Sequence, residues 1–299
     1  MYYLSNYVRV LLATSLSFGL VTAASAQLTT SNPQLFLNHF FIVVDEDTFE
    51  DIQSNDYLKD TFAVTESRTT TRNDAEYSGF YVYGENTYFE VLTKSESSWQ
   101  SGIFLSGDDE ESLTNSKRDS LTQLYVVPDP ITRQFDSDQV PWFYIATNFG
   151  YPRASALGMG IMEYHPDYLS RFYPEHEPMS RGVSRKEVLM RYASILEASQ
   201  QERLFQDVTE ISVTATEQER VALVRIFEAL DYLSRKDADS RVLSSDYFEL
   251  SVSSSTNSPS KINEVRMRLN REISEEMTLY FCSHSRLRIS TNGQAIWSF

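Results

Sequence analysis

Two side chains in this sequence have the types and placement to do chemistry together. The first is His39, in the apolar run Leu35-Phe-Leu-Asn-His-Phe-Phe-Ile-Val-Val44. Such a run, rich in aromatic and branched residues, reads as a buried strand, and its period of two puts Leu37, His39, Phe41 and Val43 on one face. The second is Glu90 in Thr87-Tyr-Phe-Glu-Val-Leu92, where Tyr88, Glu90 and Leu92 share a face. An imidazole and a carboxylate on neighbouring strands can converge on one point, and together they suit a divalent metal such as zinc, iron, manganese or nickel. Each also has a plainer reading: His39 as a core histidine satisfied by a backbone carbonyl, Glu90 as the partner of Arg68 or Arg72. Glu163 and His165 make a second pair, since residues two apart on a strand point the same way. Pro166 and Asp167 follow at once, so that pair also reads as a strand-end cap or salt bridge. His176 and His284 read as solvated.

These residues need strands to position them. After the first strand, Asp45 to Asp47 supply caps, and Asp47-Thr-Phe-Glu50 has capping-box spacing, which predicts a helix to about Lys59. Strand-like segments follow at Thr65–Arg72, Ser78–Tyr83 and Thr87–Leu92, giving the order β-α-β-β-β. The C-terminal part repeats it: a strand over Asp207–Thr216, a capping box at Thr216-Glu-Gln-Glu219, a helix with Val221, Val224, Phe227 and Leu230 at helical spacing, then strands at Tyr247–Ser253, Val265–Leu269 and Thr278–Ser290. Overlaying the two patterns puts His39 on Glu210 and Glu90 on Arg288. The expected fold class is α+β, with two paired β-α-β-β-β modules at 27–94 and 206–299 and a large insert, 95–205, between them. In that insert Ser95–Ser120 reads as an exposed loop, Trp142-Phe-Tyr-Ile145 and Met159–His165 as strands, and Ser184-Arg-Lys-Glu187 as the start of a helix burying Val188, Leu189, Tyr192 and Leu196.

The Leu37-Asn38-His39 opening, the β-α-β-β-β order and Thr87-Tyr-Phe-Glu90 resemble the vicinal oxygen chelate superfamily of glyoxalases, ring-cleaving dioxygenases and antibiotic-resistance binders. Ser67-Arg-Thr-Thr-Thr-Arg72, Gly79-Phe-Tyr-Val-Tyr-Gly84 and Met162-Glu-Tyr-His-Pro-Asp-Tyr-Leu169 more closely resemble an uncharacterised glyoxalase-like family of bacterial proteins, over most of the chain. The superfamily resemblance implies two modules sharing one metal, each offering a ligand from its first and last strands. By position that implies His39, Glu90 and Glu210 as ligands. It also implies a metal acting as Lewis acid on two neighbouring substrate oxygens while Glu90 or Glu210 moves the proton. Arg288 departs from the pattern, because a guanidinium cannot coordinate. Either the insert or water fills that place, or the metal is lost and Arg288 pairs with a carboxylate such as Glu90.

Composition narrows the partners. The 299 residues carry a formal charge of −16, which repels polyphosphate and disfavours nucleic acid. Arg9, an apolar stretch over Val10–Val21 and Ala24-Ser-Ala26 form a signal-peptide pattern, 1–26, with a soluble mature chain expected from Gln27 in the periplasm or outside the cell and no membrane anchor. Cys282 is the single cysteine, so no internal disulfide forms, and it reads as a small buried strand residue. The 18 Tyr and 18 Phe suit a core and a cavity for a small-molecule ligand. Phosphate-loop, nucleophile-elbow, zincin and paired-cysteine motifs are missing. Three readings stand: a metal-dependent lyase, isomerase or dioxygenase; a metal-free small-molecule-binding protein; and an interaction module without a cavity.

Overall fold

The computed structural model describes residues 35–93, 99–109, 113, 125–126, 129–147, 151–152, 154–172, 182–256 and 258–299. The signal-peptide segment and His176 lie outside them. The strands fall into two sheets. The first contains β1 (Phe36–Val43), β2 (Val64–Thr71), β3 (Glu76–Tyr83), β4 (Tyr88–Leu92), β5 (Ser101–Ser106), β6 (Tyr125–Val126), β7 (Ile131–Phe135), β8 (Asp138–Thr147) and β9 (Leu157–Tyr164). Its order is β2-β3-β4-β1-β5-β9-β8, with β6 and β7 both pairing β8. Along residues 36–92 the elements run β1, a helix, a helical turn, β2, β3 and β4. The helix between β1 and β2 is shorter than expected, Glu46–Ser54, and its cap is Asp45, whose carboxylate accepts from Thr48 N. Asn55 then breaks it, accepting from Leu58 N at the head of a π-helical turn, Leu58–Phe62.

β1 pairs β4 in parallel and β5 antiparallel, and β5 in turn pairs β9 in parallel. Of the stretch 95–205, the described strands β5 to β9 continue the first sheet, and β5 runs through what reads in the sequence as an exposed Ser-rich loop. The far edges of this sheet meet. Arg72 forms a bridge with Arg133, Asn73 N donates to Thr132 O at 3.2 Å, and Thr132 N donates to the Asn73 side chain at 3.2 Å. That seam curls the sheet into a barrel-like wall. One part of the interior is filled by Tyr81, Tyr83, Trp142, Tyr164 and Tyr168, together with Val188, Leu189 and Tyr192 of the helix Arg185–Ile195. Leu196, expected on the buried face of that helix, is its partly buried C-cap.

The second sheet has the order β11-β12-β13-β10-β14-β17-β16-β15, from β10 (Phe205–Ala215), β11 (Leu233–Asp237), β12 (Ser240–Ser244), β13 (Glu249–Ser254), β14 (Lys261–Leu269), β15 (Met277–Phe281), β16 (Ser285–Ser290) and β17 (Gln294–Ser298). The capping box at Thr216 and Glu219 forms and starts the helix Glu217–Ala229, which buries Ala222, Leu223, Ile226 and Phe227 and leaves Val221 in solvent. Thr278–Ser290, expected as one strand, is a hairpin whose turn places Cys282 at φ 49°, exposed and not in a strand. No helix among the described residues is long and apolar enough to cross a membrane.

One core joins the sheets. Phe40 and Ile42 of β1, Phe89 and Val91 of β4, and Ile103 and Leu105 of β5 pack with Phe205, Ile211, Val265 and Trp297 of the second sheet. Phe89 meets the Trp297 ring edge-on at 5.3 Å. Polar staples flank this core: the Asp207 carboxylate accepts from Asn86 N (2.8 Å) and Thr87 N (3.1 Å), and Glu219 accepts from Ser155.

Candidate functional site

Alternation along β1 sends Phe40 and Ile42 into the shared core and turns His39 and Phe41 to the barrel interior, and β4 likewise turns Tyr88, Glu90 and Leu92 inward. Leu37 does not join His39 as expected, because a bulge between them returns Leu37 to the core. The inward residues line a cavity of about 640 Å³. Trp99, Phe104, Trp142, Phe143 and Met162 form much of its apolar wall, and Arg72, Asp74, Tyr77 and Asp129 add polar groups.

His39 is held on both faces and at one edge. Its ring stacks on Tyr88 (4.6 Å between centroids) and on Phe104 (4.7 Å). Its Nδ1 lies 2.7 Å from Asn38 Oδ1, and the Asn38 amide donates to Ser106 Oγ (2.9 Å) and Tyr164 OH (3.3 Å). With Oδ1 thus the acceptor, Nδ1 carries the proton and Nε2 keeps its lone pair. Burial, reinforced by the charge of Arg72, lowers the His39 pKa to about 3, so the ring is neutral at physiological pH.

Glu90 stands beside it, on the strand that pairs His39 with Tyr88 and Phe41 with Glu90. Burial raises its pKa to about 7, against the lowering pull of Arg68, Arg72 and the Tyr88 hydroxyl. Both arginines are engaged elsewhere. Arg68 binds Glu66 at 2.8 Å and lies 4.0 Å above the Tyr81 ring, while Arg72 grips both oxygens of Asp74 at 2.7 and 2.5 Å. Among the described residues Glu90 has no ion pair.

The half of the wall built by β5 and β9 is made differently. Ile103, Leu105, Met159 and Ile161 face the core, so the alternate positions Gly102, Phe104, Gly158, Gly160 and Met162 face inward. The glycines make room for rings. A Cβ on Gly102 would lie 2.4 Å from the Phe41 ring, and one on Gly160 would lie 2.5 Å from the Phe104 ring.

The structure brings together His39 and Glu90 and separates the other expected residues from them. Glu210 lies on β10 in the second sheet, bound to Arg266 at 3.1 Å, with its pKa raised first by partial burial. Arg288 is exposed on β16, paired through its backbone with Thr278 and Ile296, and does not reach Glu90 or Glu210 across a cavity. The overlay fails there because the sheet continues from β1 into β5 and then β9, while the strands of the C-terminal repeat form a separate sheet. Glu163 faces away from the cavity and accepts from Leu113 N at 2.5 Å. His165 lies beyond the end of β9, where its Nδ1 accepts from Asp167 N at 3.2 Å, and partial burial lowers its pKa. His284 sits in the exposed hairpin turn. Among the described residues no three His, Cys, Asp or Glu side chains gather as a metal site would need.

The sequence reading misses Trp99, Phe104, Trp142, Phe143 and Met162 as cavity residues. A signal for part of this wall is the alternation Leu157-Gly-Met-Gly-Ile-Met162, in which Gly158 and Gly160 share a face with Met162 and leave room there for rings from neighbouring strands.

Fold and site together define a mostly β chain of two sheets, one of them curled round a cavity that holds a buried histidine and glutamate. The chain belongs to the Family of unknown function (DUF5829), whose model matches residues 37–299. A hypothetical protein from Staphylococcus aureus has a similar fold, with a TM-score of 0.51 at 13% identity over 82% of this chain and 95% of that one. A xylose isomerase-like TIM barrel/4-hydroxyphenylpyruvate dioxygenase fusion protein gives a TM-score of 0.41 at 9% identity over 78% of this chain and 36% of its own. No curated protein matches the chain.

Proposed function

We propose that this is a glyoxalase-like protein that encloses a small molecule inside its first sheet, with the polar end of that molecule against His39 and Glu90. The observation that carries this reading is the pair itself: a neutral, clamped imidazole and a carboxyl group near pKa 7, on adjacent strands and lining one otherwise largely apolar cavity. The volume fits the range of small-molecule sites. The buried Trp142 Nε1–H, on the same wall, has no hydrogen-bond partner among the described residues, as a site awaiting an acceptor would have. A carboxyl group titrating near neutrality can take a proton from a bound molecule and return it, the requirement for general acid–base chemistry. His39 Nε2, fixed by Asn38, would orient the donor group that Glu90 acts on. Trp99 and Trp142 lie in the wall, so ligand binding should change tryptophan fluorescence. A panel of small aromatic compounds that leaves the emission unchanged at saturating concentration counts against the reading.

A divalent metal is the second reading, favoured by the unprotonated Nε2 next to a carboxylate. Calorimetric titration with zinc, manganese, nickel and iron(II) separates the two. Saturable binding to wild type that is lost in His39→Ala supports a metal, and equal heats from both proteins remove it. We further propose export, on the Ala24-Ser25-Ala26 pattern. Mass spectrometry of the protein from its native compartment should find Gln27 at the N-terminus, and an intact Met1 would contradict this.

A further inference from the structure

We infer that the cavity selects an organic cation: a largely apolar, aromatic-sized molecule bearing one ammonium group, which rests against Glu90 and donates an N–H to His39 Nε2. The inference rests on the reading of the cavity as a small-molecule site and adds the charge of the molecule it takes.

Charge counting supports it first. Among the charged groups that line the cavity Arg72 is the cation, and it is bound to both oxygens of Asp74, whereas Glu90 makes no ion pair among the described residues and feels Arg68 and Arg72 only through space. Asp129 adds a further negative group to the lining. His39 contributes no positive charge, because Asn38 fixes its proton on Nδ1 and burial opposes a second. An anionic ligand would meet Glu90 and Asp129 and would have to pull an arginine from its partner. A neutral ligand would leave Glu90 to be protonated, or ionised with only the more distant Arg68 and Arg72 to offset its burial, and so would draw nothing from its charge.

The walls agree with the floor. Phe41, Tyr88, Phe104, Trp142 and Phe143 line the same cavity, and aromatic faces attract a desolvated cation through their quadrupoles. A carboxyl group at the base of an aromatic enclosure offers an ammonium group a counter-charge and π-faces together. At the scale of the whole chain, a formal charge of −16 raises the local concentration of cations over anions.

The test uses three probes of one size and three charges: 1-naphthylmethylammonium, 1-naphthalenemethanol and 1-naphthoate. They are titrated by calorimetry into wild type and Glu90→Gln at about pH 8, where a carboxyl group of pKa near 7 is ionised and the amine still protonated. The expected order in wild type is ammonium tighter than alcohol by about tenfold or more, with naphthoate weakest. In Glu90→Gln the ammonium should lose most of its lead over the alcohol, and an undiminished lead overturns the role given to Glu90. Equal affinities in wild type, or naphthoate as the tightest probe, overturn the cation inference and leave a small-molecule cavity standing. Binding of none of the three overturns both. The wild-type comparison needs no variant, so a Glu90→Gln protein that fails to fold does not spare the inference.

Discussion

Glu90 and His39 pull the stability of the protein in opposite directions as pH changes. The folded state raises Glu90 from 4.5 to about 7, so it holds that proton more tightly than the unfolded chain does. The associated stability is fully present below pH 4.5 and is lost as pH rises to about 7, a swing of about 3 kcal/mol. His39 is lowered from 6.5 to about 3, so its unfolded form gains the proton first. Its contribution is complete above pH 6.5 and drains away toward pH 3, by about 5 kcal/mol. Between 4.5 and 6.5 the two slopes offset each other. Urea denaturation across that window should therefore be nearly flat for the wild-type pair and should rise steeply with pH in Glu90→Gln, where only the histidine slope is left. Parallel curves for the two proteins would mean that one of these groups is solvated.

At the scale of strands, the cavity depends on glycines that lie under rings. Gly160→Ala should drive Phe104 off its seat and loosen the stack on His39, at a cost of about 1–3 kcal/mol. A fall in melting temperature together with weaker probe binding is the expected result, and an unchanged melt would show that the ring has room to move. The strands that carry His39 and Glu90 were legible because each pairs a clear period of two with strong β-formers. The helices at Ser184 and Thr216 were legible through their caps, both of which form. β5 was hidden for a physical reason: six residues, Ser101-Gly-Ile-Phe-Leu-Ser106, lie in a Ser-rich stretch and owe their place to partners on both sides. The β15–β16 hairpin was hidden because its turn, Cys282-Ser-His-Ser285, takes a left-handed residue without Gly, Asn or Pro to mark it. Half of the site was therefore readable, the half that uses polar residues. The wall opposite is made by spacing and shape.

Across the whole molecule, the shared core makes the sheets one thermodynamic body. The described residues form one compact unit, and the face of the first sheet that turns away from the cavity is buried against the second. Thermal unfolding of this unit should show a single transition by both far-ultraviolet circular dichroism and tryptophan fluorescence. Asp207→Ala, which strips the acceptor from the backbone N–H groups of Asn86 and Thr87, should lower that one transition by about 1–3 kcal/mol and not split it in two. Two resolved transitions would mean that the sheets unfold independently.

The wall round the cavity is not uniformly strong, and the meeting of Arg72 and Asn73 with Thr132 and Arg133 sets where it yields. β1 and β5 are joined by a ladder running from Phe36 to Ile42, whereas the backbone of this junction shows, among the described residues, an isolated bridge and two hydrogen bonds of 3.2 Å at Asn73 and Thr132. Opening free energy in a native protein follows the number of bonds and buried contacts that must be broken together. Amide deuterium exchange at Asn73 and Thr132 should accordingly be orders of magnitude faster than at Phe40 and Ile103, at a rate insensitive to mild urea. A bound molecule should slow exchange there most of all, since Arg72, Asn73 and Ile131 line the cavity as well. The junction would then be the doorway, and its opening rate would cap how fast any ligand can enter or leave.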